Sequence, residues 1–163
     1  GIRWIIRAGW LSMAIEIKGS ADNADEVIRY LDSLVANLKV AFKKGITKST
    51  IGVHRSAMDY LSGAKGSPGD YPVPVITGNL RRLLDFLPPG QSKQAGGVSF
   101  KAEEFSGVVY NSARYADVIR NGTHSSSKHD PRDYMEDGLK AFGGSARAAE
   151  YLLQEINTVT ERL

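Results

Sequence analysis

The apolar residues Val27, Leu31, Leu34, Val35, Leu38 and Phe42 recur in steps of three and four. That spacing matches the 3.6-residue turn and lays one apolar stripe along a helix. Asn23 followed by Glu26 has the form of a capping box at its start. Asp25 and Glu26 sit at the positive end of the helix dipole, and Lys39, Lys43 and Lys44 at the negative end. A one-sided helix of this length must bury its stripe, so the rest of the chain has to supply the cover. Gly45 is expected to end or kink the helix. A second helix is then expected over Lys48–Leu61, with Ile51, Met58 and Leu61 on one side and Gly52 and Val53 weakening it.

The remaining pattern is mixed. Met13–Lys18 alternates as a strand does. Ser62–Val75 carries three glycines and three prolines and reads as an extended loop, stiffened at Pro72 and Pro74, where each ring fixes its own φ. Thr77 is the expected N-cap of a short helical run, Leu80–Leu87, stopped by Pro88-Pro89. Val98–Lys101 and Phe105–Asn111 read as neighbouring strands, with turns at Gly96-Gly97 and Glu103-Glu104. Tyr115–Arg120 fits a short helix or a strand edge, and Ser125–His129 a polar loop tip. A last helix is expected over Ala146–Glu161 with Ala149, Leu152, Leu153, Ile156 and Val159 inward. The fold class is therefore α+β: a small, mostly antiparallel sheet packed against a long N-terminal helix and a C-terminal helix. There is no internal repeat and no heptad run long enough for a coiled coil.

At 163 residues the chain suits one domain. It has no cysteine, which excludes a disulfide framework and a thiolate metal site. The net charge is +3, but Arg3 and Arg7 precede Met13 without an acid, leaving 19 basic against 18 acidic residues from Met13 onward. A duplex-binding face normally clusters its lysines and arginines, so this balance argues against a DNA-binding adaptor. Residues 1–12 are too short and too interrupted by Arg7 to span a membrane. They read as an extension before a natural start at Met13, or as an arm anchored on a partner through Trp4 and Trp10. Residues 13–163 then form the single α+β domain.

His124, His129, Asp130 and Asp133 would make a metal-dependent hydrolase or nuclease only if three of them converged. As a set they read better as a polar loop, and His54 reads as structural or solvated rather than as a general base. Neither a Gly-x-Ser-x-Gly nor a Walker-type Gly-x-x-x-x-Gly-Lys pattern occurs. No catalytic or metal-binding residue and no cofactor is assigned. Arg81 and Arg82 suit a solvated helix face or an intersubunit ion pair better than a phosphate contact. Among the tyrosines, Tyr115 and Tyr134 suit bracing of the fold, and Tyr71 suits an interface.

Three segments stand in a fixed order: Tyr71-Pro72-Val73-Pro74-Val75-Ile76-Thr77-Gly78-Asn79-Leu80-Arg81-Arg82, then Tyr115-Ala116 through Gly122-Thr123, then Pro131-Arg132-Asp133-Tyr134-Met135. This trio resembles the tail-completion, or head–tail joining, proteins of long-tailed bacteriophages. Leu83-Leu84 stands where that family usually has Ser-Ile, and no acid stands near Arg120 or Asn121. The resemblance implies a non-enzymatic virion protein of the neck or tail top, assembled in the host cytoplasm. It implies a homo-oligomeric ring, a hexamer by analogy, around a channel through which DNA passes without specific recognition. A connector or head-completion (stopper) protein would lie on one side, and a tail terminator or tail tube protein on the other. The tail terminator itself is a close variant. Tyr71, Pro72, Pro74, Thr77 and Gly78 would form the docking loop. Leu80, Tyr115, Gly122, Thr123, Pro131, Arg132 and Tyr134 would hold the structural motif. No membrane role is implied.

Overall fold

The computed structural model describes residues 3–8, 11–16, 24–61, 78–121 and 133–161. It is α+β, with long helices and short antiparallel strand pairs. The chain divides into two compact units, Gly1–Leu38 and Lys39–Leu163. In the first, β1 (Arg3–Ala8) and β2 (Leu11–Glu16) form an antiparallel hairpin from Arg3↔Glu16 to Ala8↔Leu11. Met13 lies within β2, opposite Ile6, so strand pairing crosses the boundary expected at residue 13. The expected strand over Met13–Lys18 is thus found two residues earlier.

The helix that follows, α1, runs without a break from Ala24 to Tyr60, 37 residues. Gly45 does not end it, and the two expected helices are one. The reason is packing. A Cβ at Gly45 would lie 2.9 Å from the Cα of Leu152, so the missing side chain lets α5 (Gly144–Thr160) approach the α1 backbone. At Gly138 of α4 (Tyr134–Phe142), a Cβ would meet the Cα and N of Ala57 at 2.7 Å. Thr47, Ser49 and Thr50 donate to the carbonyls of Lys43, Gly45 and Ile46 at 2.7, 2.9 and 2.8 Å. Their hydroxyls are thereby satisfied inside a helix whose neighbours leave little water.

The run Leu80–Leu87 also departs from expectation. Only one turn of helix forms, α2 (Asn79–Arg82), and its N-cap is Gly78 in the left-handed conformation. Leu84–Leu87 is a strand, β3, paired antiparallel with β6 (Val108–Asn111) from Leu84↔Asn111 to Leu87↔Val108. Burial of Leu84 and Leu87 and the ladder to β6 outweigh the helical leaning of the Leu-Arg-Arg-Leu-Leu run. β4 (Ser92–Ala95) and β5 (Val98–Lys101) form a separate hairpin. Gly96 and Gly97 supply its turn with φ of 60° and 80°, the two positive angles that a tight hairpin requires. The strands expected as neighbours, Val98–Lys101 and Phe105–Asn111, therefore pair with other partners. Phe105 stands outside both strands and is exposed.

Of the two forms open to Tyr115–Arg120, the chain takes the helix, α3 (Ala116–Asn121). α4 was not foreseen. Asp133 caps it, its Oδ1 accepting from the Glu136 N–H at 3.1 Å, and Gly143 at φ 104° separates it from α5. In α5, Ile156 is buried and Leu152 and Val159 half-buried, while Ala149 and Leu153 face solvent. The buried face is rotated to include Glu155, whose carboxylate is paired with Lys48 of α1. Among the described residues, no helix is long and apolar enough to cross a membrane.

Candidate functional site

Leu80 of α2, Ala116 of α3 and Tyr134 of α4 belong to the three sequence segments singled out above, and all three are buried in one cluster. Ala57 and Tyr60 of α1, Leu61 just after it, Leu84 of β3 and Ala113 complete it. The segments 62–77 and 122–132 lie outside the described residues, but the positions flanking them share this cluster. Leu61 precedes the first, and Leu80 follows it closely. Ile119 packs on the cluster before the second, and Tyr134 lies in it just after. Leu80, Ala116 and Tyr134 thus meet in one cluster, the root from which the described chain enters and leaves these two segments.

Two polar devices hold the root. The side chain of Asn111, at the end of β6, donates Nδ2–H to the Leu80 carbonyl at 2.7 Å and accepts from the Ala113 N–H at 2.9 Å. It clamps α2 to the corner between β6 and α3. The Ser112 N–H donates to the Leu83 carbonyl at 3.1 Å beside it. Across the second gap, Arg120 Nε donates to Asp133 Oδ2 at 3.0 Å, tying the end of α3 to the cap of α4. Sequence reasoning missed Asn111. Its signal was the Asn-x-Ala step after a strand, where an Asn side chain caps the backbone two residues on.

Tyr134 is fully buried, and its hydroxyl has no hydrogen-bond partner among the described residues. Burial pushes its phenol far above the ordinary value of 10.0, and the nearby Asn111 amide and Arg120 only partly oppose this. Tyr115 is 39% exposed, so the two tyrosines expected to brace the fold stand in different surroundings. Arg81 and Arg82 are both exposed on α2, and Arg82 donates to Asn79 Oδ1 at 2.7 Å. His54 fills the space between α1 and β3, its Nε2 3.3 Å from the Leu84 carbonyl and its ring 5.2 Å from that of Phe86.

Trp4 lies in β1 opposite Ile15. Tyr71, Pro72, Pro74, Thr77, Gly122, Thr123, Pro131, Arg132 and Trp10 lie outside the described residues, as do His124, His129 and Asp130. Asp133 has both oxygens engaged, one in capping and one with Arg120. Among the described residues, no three histidine or acidic side chains converge as metal ligands.

Beside the root, an open cleft of about 720 Å³ lies among α1, β6, α4 and α5. Ile46, Val53, Val109, Met135, Leu139 and Leu152 give it apolar walls, and Arg120 and Asp133 stand at its edge. Leu139 is 44% exposed there. On the strands, Asp85 Oδ2 accepts from Lys93 at 2.6 Å and from the Tyr110 hydroxyl at 3.1 Å, while Oδ1 accepts from the Phe86 N–H at 2.8 Å. Burial pushes the Asp85 carboxyl up, but these donors together outweigh it and hold the group below its ordinary value. Burial and the Asp85 charge push Tyr110 up. This cluster joins β3, β4 and β6, and Phe100 of β5 stacks on Tyr110 at 4.0 Å. Comparison with protein-family models, with curated proteins and with solved structures finds no match.

Proposed function

We propose that this chain is a non-enzymatic structural subunit of a long-tailed phage particle that completes the tail or joins it to the head. It would act as one member of a ring around the DNA channel. The observation that carries the reading is the convergence of Leu80, Ala116 and Tyr134, one from each segment of the ordered trio, on a single buried cluster. Segments spaced along the chain that share one anchor read as parts of one device. A ring subunit needs such a device, because contacts with neighbours above, below and beside it must be held in fixed relation. The prolines of the docking loop fit this role, since a stiffened loop loses less entropy when it docks. The near balance of charge after Met13 suits a subunit beside passing DNA that must not grip it. The tail terminator remains the near variant of the same reading.

The test is electron microscopy of lysates from the parent phage with this gene deleted. The expected result is DNA-filled heads beside separate tails, converted to whole particles when the purified protein is added. Joined, infectious particles in the deletion would refute the assignment. A hydrolase using the His124–Asp133 segment would instead lose metal-dependent activity in His129→Ala. That reading is disfavoured because Asp133 is already committed to its cap and to Arg120.

A further inference from the structure

The Ser112 N–H donates to the Leu83 carbonyl, and the register of β3 with β6 continues from that pair. Hydrogen-bonded pairs alternate along an antiparallel ladder, so Asp85 bonds with Tyr110 and Leu87 with Val108. Leu84 and Phe86 on β3, and Val109 and Asn111 on β6, therefore turn their backbone N–H and C=O groups outward. The two outer edges differ. On β3 the Leu84 carbonyl lies 3.3 Å from His54 Nε2, and the Phe86 N–H donates to Asp85 Oδ1 at 2.8 Å. On β6 the backbone groups of Val109 and Asn111, and of Gly107 before them, have no hydrogen-bond partner among the described residues. Gly107 lines the cleft beside the root and, having no side chain, does so with its backbone. Lys93 and Lys101 sit on β4 and β5, where charge keeps a further strand off, but β6 carries neither charge nor proline.

A strand added to β6 would pair on one side and meet the apolar walls of the cleft on the other, where an N–H would find no partner. Tyr71-Pro72-Val73-Pro74-Val75 meets that condition. In extended form the N–H groups of Tyr71, Val73 and Val75 point to one side, and Pro72 and Pro74 present none to the other.

We infer that the outer edge of β6 receives the Tyr71–Val75 segment of a second copy as an added antiparallel strand. Val73 then lies opposite Val109, Tyr71 opposite Asn111 and Val75 opposite Gly107. Opposite residues of an antiparallel pair share a face of the sheet. Val109 packs on the buried cluster, so Val73, Tyr71 and Val75 turn toward the helices and the prolines turn away. A parallel strand would reverse the faces and send the prolines inward. The donor is a second copy because the chain's own segment is too short. Gly78 is tied through α2 to the Asn111 end of β6, where the Leu80 carbonyl accepts from Asn111. Val75 would sit at the Gly107 end, about 14 Å away along the strand. The chain from Val75 to Gly78 spans at most about 11 Å. Donor and receiver surfaces differ, so each copy gives one strand and takes another, a head-to-tail contact that builds a ring or a filament. The contact does not depend on the neck reading, since purified copies suffice to form it.

Sedimentation velocity on the full chain over a wide concentration range tests it. The expected behaviour is reversible association, weakened about tenfold or more by Val73→Pro, which removes the N–H aimed at the Val109 carbonyl. Cross-linking reads the register, since the chain has no cysteine. Pro74 would stand opposite Val108 in a non-hydrogen-bonded pair, with Cα atoms about 4.5 Å apart, within disulfide reach. Oxidising a mixture of Val108→Cys chains and isotope-labelled Pro74→Cys chains is expected to give the mixed dimer, identified by mass spectrometry. Pro72→Cys, two residues out of register, is expected to give about tenfold less. A chain monomeric at every concentration, association indifferent to Val73→Pro, or equal cross-linking by Pro72→Cys would overturn the inference. A disulfide closing within one V108C/P74C chain would overturn it equally.

Discussion

Replacing Gly138 by alanine sets two physical effects against each other. Gly138 is buried on α4, where its absent side chain faces α1. An added Cβ would lie 2.7 Å from the Cα and N of Ala57 and 2.8 Å from its Cβ. Carbon atoms rest at about 3.5–4.0 Å, so α4 must retreat by roughly 1 Å. Overpacking of this kind costs about 1–3 kcal/mol, and with backbone as the obstacle the upper part of that range applies. Helix propensity favours alanine over glycine by about 1 kcal/mol. The net expectation is a loss of about 1–2 kcal/mol, which lowers Tm by roughly 2–8 °C for a chain of this size. Thermal melting by circular dichroism, with urea unfolding alongside, measures it. The double variant G138A/A57G is expected to recover nothing, because two of the three contacts are with Ala57 backbone atoms. A Tm unchanged or raised in Gly138→Ala would refute the close approach of α4 to α1. Rescue by Ala57→Gly would show that the obstacle is the side chain.

Four further expectations come from buried and capping groups. Tyr134→Phe removes a buried hydroxyl without a described partner and should leave stability unchanged or raise it by about 1 kcal/mol, whereas Tyr134→Ala should cost about 3–5 kcal/mol; urea midpoints distinguish the two, and a loss above about 1 kcal/mol in the Phe variant would reveal a bond to that hydroxyl. Because the folded Tyr134 value is raised above 10.0, its contribution is whole below pH 10 and is lost as pH rises above it, where the unfolded phenol ionises first; Tyr134→Phe should flatten that alkaline fall in stability. Asp85 is lowered from 3.8, so its contribution is present above that pH and lost as pH falls below it; Asp85→Asn should cost about 1 kcal/mol at neutral pH, its exposed Lys93 pair adding little, and should match the parent protein in acid, with urea midpoints at both pH values as the check. Asp133→Ala removes the α4 cap and the Arg120 pair together and should cost about 1–2 kcal/mol; hydrogen exchange at the Glu136 amide should accelerate, and unchanged exchange would refute the cap.

The candidate site was legible in part. The sequence named Leu80, Tyr115-Ala116 and Tyr134 through their order, but nothing local could state that Leu80, Ala116 and Tyr134 share a cluster, since up to 54 residues separate them. Asn111 was overlooked because its partners, Leu80 and Ala113, become meaningful only when α2 lies against the end of β6. The apolar stripe on α1 was visible in the sequence, but that Val35 and Phe42 on it face outward while Leu34 is buried is known only from the structure.

By itself the sequence determined what short-range physics can encode. It set the apolar period and charge order of α1, the Gly96-Gly97 turn and the α+β class. Each depends on residues a few positions apart, where backbone sterics and periodicity act directly. Tertiary structure decided the rest. It carried α1 through Gly45 because α5 needed the space. It turned Leu84–Leu87 into a strand because β6 offered a ladder, and it rotated α5 so that Glu155 could meet Lys48. In all three, the deciding partner lies far along the chain, and local propensities of a few tenths of a kcal/mol per residue yield to the larger energies of burial and pairing.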